Sequence, residues 1–178
     1  RPLRVEIVWE PSAAKGTNGA AISFPHPLIT EVLYAVPSGA AGDANGDGDR
    51  SVNGDEFVEV VNPHDEAIDL GGYTLTDATS GTNQFKFVFP ALTLKPGEVA
   101  IVFNGCQVKW QDGSFVGSSQ AASGAASPAS AGFHGAWVFS AKAARSGVGF
   151  ANESDAVVLS APDGSVLQRV WWGVDAPE

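Results

Sequence analysis

Methionine is absent from the sequence, and cysteine occurs once, as Cys106. One cysteine closes no internal disulfide and excludes a Cys-based zinc site. Positive charge is also scarce: ten Lys+Arg stand against twenty Asp+Glu, a formal charge of −10. A chain this acidic is repelled by phosphate backbones, which argues against a nucleic-acid partner. No apolar run approaches the roughly eighteen residues of a membrane-spanning helix, so no membrane span is expected. Sustained helical stripes are missing too, as are a Gly-x-Ser-x-Gly elbow and a phosphate-cradling glycine loop ending in Lys-Ser/Thr. The missing initiator Met fits a processed or trimmed chain, including one that has lost a secretory signal.

What is present points to β-structure. Among 178 residues, 44% hydrophobic, there are 21 Gly and 11 Pro, so turns are frequent, and Val outnumbers Leu by 20 to 9. β-Branched side chains lose rotamer freedom in helices and pack well on pleated surfaces. The length suits about one domain. Short strand-like runs, each closed by turn residues, lie at Leu28–Val36, Glu56–Val61, Leu70–Thr76, Phe85–Phe89, Glu98–Phe103, Ala136–Phe139, Ala156–Leu159 and Val166–Trp172. Ala161-Pro162-Asp163-Gly164-Ser165 and Leu94-Lys95-Pro96-Gly97-Glu98 read as turns between strands. About eight strands at this spacing imply an all-β sandwich.

Residues 27–173 form the expected domain, with 174–178 as a tail. Residues 1–26 read either as an N-terminal extension or as an extra edge strand, since Leu3 to Ile7 alternate apolar and charged residues. The Ser/Ala/Gly-rich stretch 117–132 has too little apolar bulk to order itself and reads as a flexible surface loop.

The chemistry concentrates between Asp43 and Glu56. Oxygen-bearing side chains recur at every second position, through Asp43, Asn45, Asp47, Asp49 and Ser51, with Gly48 sixth. That register is that of an EF-hand-type calcium loop, in which a hard cation collects six to eight oxygens around a sharp turn. Asp43, Asn45 and Asp47 would ligate through side chains, Asp49 through its carbonyl, and Ser51 directly or through water. The twelfth position, normally a bidentate Glu, is Gly54, and Asp55 or Glu56 is the substitute, with Asp55 favoured because Glu56 begins a strand. Flanking helices are absent, so calcium here would staple two strands together. The plain alternative is a solvated acidic turn, because Asp-Gly and Asn-Gly are ordinary turn formers.

Other candidates carry less. His26, His64 and His134 match no zinc spacing and read as surface-loop histidines. Ser118 and Ser119 have no base beside them, and Asp65-Glu66 sits in a turn. Trp171-Trp172 ends a strand, so one ring faces the core and the other faces out, where it could meet a sugar or a protein. Asn152-Glu153-Ser154 is a glycosylation sequon that matters only in a eukaryotic secretory route.

Several of these runs together resemble a lamin-tail domain. They are Leu28-Ile29-Thr30-Glu31-Val32, Asp55-Glu56-Phe57-Val58-Glu59-Val60-Val61-Asn62-Pro63 and Ile68-Asp69-Leu70-Gly71-Gly72-Tyr73-Thr74-Leu75-Thr76-Asp77. Phe87-Val88-Phe89-Pro90, Leu94-Lys95-Pro96-Gly97-Glu98, Asn152 to Leu159 and Asp163-Gly164-Ser165-Val166-Leu167 follow in the same order. The resemblance implies an immunoglobulin-like β-sandwich. It is nearest to bacterial members, which are secreted or surface modules, and the dockerin-like acidic loop would be an insertion between the first two family strands. No coiled-coil rod or basic nuclear signal accompanies it, so a filament role does not carry over. The implied function is a non-enzymatic extracellular or cell-surface interaction module, stabilised by Ca2+ and binding a protein or polysaccharide. A calcium-dependent secreted hydrolase, or its accessory domain, and a metal-free structural domain are the alternatives. Glu31, on the strand before the loop, is an additional candidate ligand.

Overall fold

The computed structural model describes residues 4–7 as backbone, and residues 25–78, 85–105, 133–141 and 149–173. Along them run β1 (Arg4–Ile7), β2 (Leu28–Leu33), β3 (Phe57–Val61), β4 (Ile68–Asp69), β5 (Thr74–Asp77) and β6 (Lys86–Val88). Then come β7 (Thr93–Leu94), β8 (Val99–Phe103), β9 (Trp137–Ser140), β10 (Asp155–Ser160) and β11 (Val166–Trp172). A short 3-10 turn at Ala40–Gly42 lies between β2 and β3. No helix among the described residues is long and apolar enough to cross a membrane. Cys106, Ser118, Ser119, the stretch 117–132 and the tail 174–178 lie outside the described residues.

Alternation makes these strands. In β3, Val58 and Val60 are fully buried while Phe57, Glu59 and Val61 are half-buried, and in β8 Ala100 and Val102 point inward the same way. One sheet has the order β1-β11-β10-β5-β6, the other β2-β3-β8-β9, and β4 pairs with β7 in a small separate ribbon. The sequence-derived all-β sandwich is the observed fold. Its core joins Val58, Val60 and Val102 of one sheet to Leu75, Val157, Leu159 and Trp172 of the other. Phe87, Phe89 and Phe139 meet pairwise at 5.0–5.6 Å between ring centroids. Trp172 is the inward ring of its pair, stacking on Tyr34 at 4.3 Å and donating its indole N–H to the Ala151 carbonyl at 2.7 Å.

One polar side chain stitches the sheets together. The Gln168 amide accepts from Ile29 N–H at 2.7 Å and donates to Ile29 C=O at 3.1 Å. It thereby satisfies a backbone position on the edge strand β2 inside an otherwise apolar core.

Several boundaries differ from the sequence reading. The run expected to continue to Val36 stops at Leu33, because the Val36 and Pro37 carbonyls accept from the Arg50 guanidinium instead of a strand. The run expected from Leu70 starts at Thr74, because Leu70 to Tyr73 form a turn closed by Tyr73 N–H to Leu70 C=O at 3.0 Å. Strand β9 pairs with β8 in parallel, whereas every other ladder among the described residues is antiparallel. A parallel pair needs a long crossover, and 33 residues separate Phe103 from Trp137. The Ala161–Ser165 turn forms as read, with Gly164 at φ 87° and Ala161 N–H bonded to Ser165 C=O at 2.8 Å.

Candidate metal site

The acidic segment joins the antiparallel neighbours β2 and β3 at one end of the sandwich. Its entrance is pinned by apolar contact: Ala44 packs with Phe57, Ile101 and Phe133 over the buried Phe103 and Val138. Its exit is pinned by backbone, where Gly105 N–H donates to Gly54 C=O at 3.1 Å. A Cβ at Gly105 would come within 2.3 Å of the Gly54 Cα, so only glycine permits this approach.

Asp55 is the loop's internal anchor. Its carboxylate is fully buried and accepts from Asn45 N–H at 3.0 Å and Ser51 N–H at 2.6 Å, drawing both limbs onto one group. Burial pushes its pKa up, the two N–H bonds pull it back, and the Asp43 and Asp47 charges raise it further. Around this anchor the remaining oxygens close tight local turns. Asn45 Oδ1 accepts from Asp47 N–H at 2.9 Å, Asp47 Oδ1 from Asp49 N–H at 2.8 Å, and Asp43 Oδ2 from Gly48 N–H at 3.0 Å. Gly48 sits at φ 93°, a left-handed conformation that side chains resist, which is why glycine stands sixth. Ser51 Oγ accepts from Gly54 N–H at 2.9 Å.

The six candidate ligands therefore divide. Asp43, Asn45, Asp47 and Asp55 belong to one hydrogen-bonded loop, and Asp49 lies exposed on its rim. Glu56 is turned elsewhere. It is almost fully buried, and its Oε2 accepts from Asn104 Nδ2 at 3.0 Å and Phe150 N–H at 3.0 Å. Burial raises its pKa to about 8, against the pull of those two bonds, and Asp155 and Asp77 add to the rise. Of the two candidates for the loop's closing carboxylate, Asp55 bonds within the loop and Glu56 bonds outside it. Glu31 stands opposite Glu59 in the β2–β3 ladder, and Glu59 lies four residues beyond Asp55, about 13 Å along a strand.

Fit to a hard cation can be read from the donors. All are oxygens, as Ca2+ prefers, and Asp43 Oδ1 is buried with no hydrogen-bond partner. Against that, no three His, Cys, Asp or Glu side chains among the described residues gather into a metal-holding group. The loop's carboxylates are directed largely onto its own N–H groups.

One other sequence reading changes. His26 is not a surface histidine: it is buried, and its Nδ1 shares a 2.6 Å hydrogen bond with the Tyr73 hydroxyl. Desolvation lowers its pKa, Asp163 opposes this, and His64, whose Nε2 lies 3.0 Å from the His26 carbonyl, adds to it. The Trp171-Trp172 pair divides as read, with Trp172 buried and Trp171 half-buried.

Sequence reasoning passed over Arg50, Asn104, Asp77 and Asp155, which organise the same end of the molecule. Asp155 accepts from Ala78, Ala151 and Ala156 N–H groups, and Asp77 from Phe85 N–H. The available signal was a polar residue placed inside or against an apolar run, as in Phe103-Asn104 and Asp155-Ala156-Val157.

No curated protein matches the chain. The family model described as Lamin Tail Domain matches residues 23–173, which takes in β2 through β11 and leaves β1 outside. The chain therefore belongs to the lamin-tail-domain family of structural, immunoglobulin-like sandwiches.

Proposed function

We propose that the chain is a non-enzymatic interaction module of the extracellular or cell-surface kind, of bacterial type, whose Asp43–Asp55 loop takes up Ca2+. The observation that carries this reading is the loop itself. Five oxygen-bearing positions in calcium register wrap a buried Asp55, and Asp43 Oδ1 stays unpaired inside. Asp43, Asn45 and Asp47 would hold the ion through side chains and Asp49 through its carbonyl, while Asp55 keeps the two limbs together. Such an ion would offset the mutual repulsion of Asp43, Asp47 and Asp55 and stiffen the β2–β3 connection. The buried carboxylates of Asp55, Glu56, Asp77 and Asp155 are all bonded to backbone N–H groups of neighbouring segments. That role supports a structural assignment for them over acid–base chemistry. The partner in this reading is a protein or polysaccharide at the cell surface.

A metal-free structural domain is favoured by one observation, the absence of a gathered three-ligand group among the described residues. Thermal unfolding in EDTA and across a calcium titration separates the two. For the calcium reading, Ca2+ near 1 mM raises Tm of the parent by several degrees, as expected for ligand above a ~10⁻⁴ M dissociation constant. The Asp43→Ala/Asp47→Ala variant then shows no such rise. Equal melting of parent and variant at every calcium concentration would leave the loop as an acidic turn.

A further inference from the structure

The sandwich that the family defines begins at residue 23, yet the five-stranded sheet ends on a strand from outside it. Strand β1 pairs antiparallel with β11, with Arg4 opposite Trp171, Val5 opposite Val170, Glu6 opposite Arg169 and Ile7 opposite Gln168. Without β1, β11 would be an exposed edge of seven residues, Val-Leu-Gln-Arg-Val-Trp-Trp, with no Pro, Gly or Lys to discourage pairing. An edge of that kind is a ready template for another strand.

The cover is short, and it is far along the chain from the next strand. Only four residues of β1 lie against the seven of β11, and twenty residues separate Ile7 from Leu28, where the chain enters the opposite sheet. The seam is also imperfect: the Trp171 indole N–H, opposite Arg4, is buried and donates to nothing. Twenty residues reach at most about 70 Å when extended, far enough for the same segment to meet the β11 edge of another molecule.

We infer that the β11 edge is a strand-acceptor surface, filled by Arg4–Ile7 of the same chain or by Arg4–Ile7 of a second copy, giving a strand-exchanged dimer. The occupant is a second copy because each copy carries the one segment whose register on this edge is already satisfied, so exchange makes the same ladder again. This inference is independent of calcium.

Cysteine trapping tests it in the full chain. Glu6→Cys/Arg169→Cys on a Cys106→Ser background places two thiols at directly opposite positions. Such Cα atoms lie about 4.5–5.5 Å apart, within the roughly 4.4–6.8 Å that a disulfide spans. The chain is equilibrated reduced at concentrations from about 10 μM to about 1 mM, a roughly hundredfold range over which exchange between copies rises by mass action, then oxidised rapidly. The expected result at the low end is a disulfide between the two introduced thiols within each monomer. At the high end, covalent dimers in which the β1 thiol of one copy is joined to the β11 thiol of the other rise at least fivefold in share. Val5→Cys/Val170→Cys on the same background repeats the test at the adjacent pair if the first variant folds poorly. Monomers alone at every concentration, dimers joined β1 to β1 or β11 to β11, or no link in either variant would each overturn the proposal.

Discussion

Asp55→Ala is expected to lower folding stability by about 3 kcal/mol, the largest loss from any single side chain of the acidic loop. Alanine removes the one acceptor shared by Asn45 N–H and Ser51 N–H, both of which then lose their partner beside a buried position. An unsatisfied buried donor costs about 1–3 kcal/mol. Some of that loss is returned, because the Asp55 carboxylate is itself disfavoured by burial and by the Asp43 and Asp47 charges. For a chain of this size the net loss corresponds to a Tm lower by roughly 6–12 °C. Asp55→Asn keeps one acceptor oxygen but turns an amide N–H2 toward the other donor, so its loss falls between those of the parent and the alanine variant. Chemical denaturation in EDTA gives the values directly. A loss below about 0.5 kcal/mol, the size of an ordinary surface change, would mean that Asp55 does not anchor the loop.

Glu56→Gln is expected to do the opposite, increasingly as pH rises above about 4.5. In the folded chain Glu56 is held protonated up to about pH 8, against a reference of 4.5. The folded state therefore binds one proton more than the unfolded state between those values, and the parent loses stability as pH rises from 4.5 through 8. A shift of that size corresponds to a loss on the order of 5 kcal/mol once pH exceeds 8. The glutamine oxygen still accepts from Asn104 and Phe150 N–H, and it never ionises. The variant should therefore match the parent near pH 4, exceed it increasingly through neutral pH, and hold a constant lead above about pH 8. Stability curves for both proteins across this range check it. Parallel curves would show that Glu56 ionises in the folded chain much as it does in the unfolded one.

These two neighbours in sequence have different fates, and the difference shows what a sequence carries. The strands were legible wherever one face is buried, because alternation in β3, β8 and β11 is a local pattern. The Ala161–Ser165 turn and the register from Asp43 to Ser51 are local as well, and the loop folds around that register. Glu56 was not legible as an interior residue, since its partner Phe150 N–H lies 94 positions away. Gln168 looked like an ordinary polar residue of a strand until it met Ile29, 139 positions earlier. His26 read as exposed because Pro flanks it on both sides, and only the Tyr73 hydroxyl explains its burial. A polar side chain is admitted to a core by a donor or acceptor brought there by the fold. The parallel β8–β9 pair was hidden for a related reason: strand character is local, whereas partner and direction are properties of the whole topology.

The most direct measurement follows the backbone amides of Asp47, Gly48 and Asp49 by NMR during a calcium titration. Each donates to a loop side chain, Asn45, Asp43 and Asp47 in turn, whose oxygens an ion would draw on. Saturable shifts of these three amides with a midpoint of about 10⁻⁴–10⁻³ M, leaving the β10–β11 amides unmoved, are the expected result. If all three stay in place up to a calcium concentration of about 10 mM, ten times the weakest such site, the loop is closed by its own N–H groups and holds no calcium.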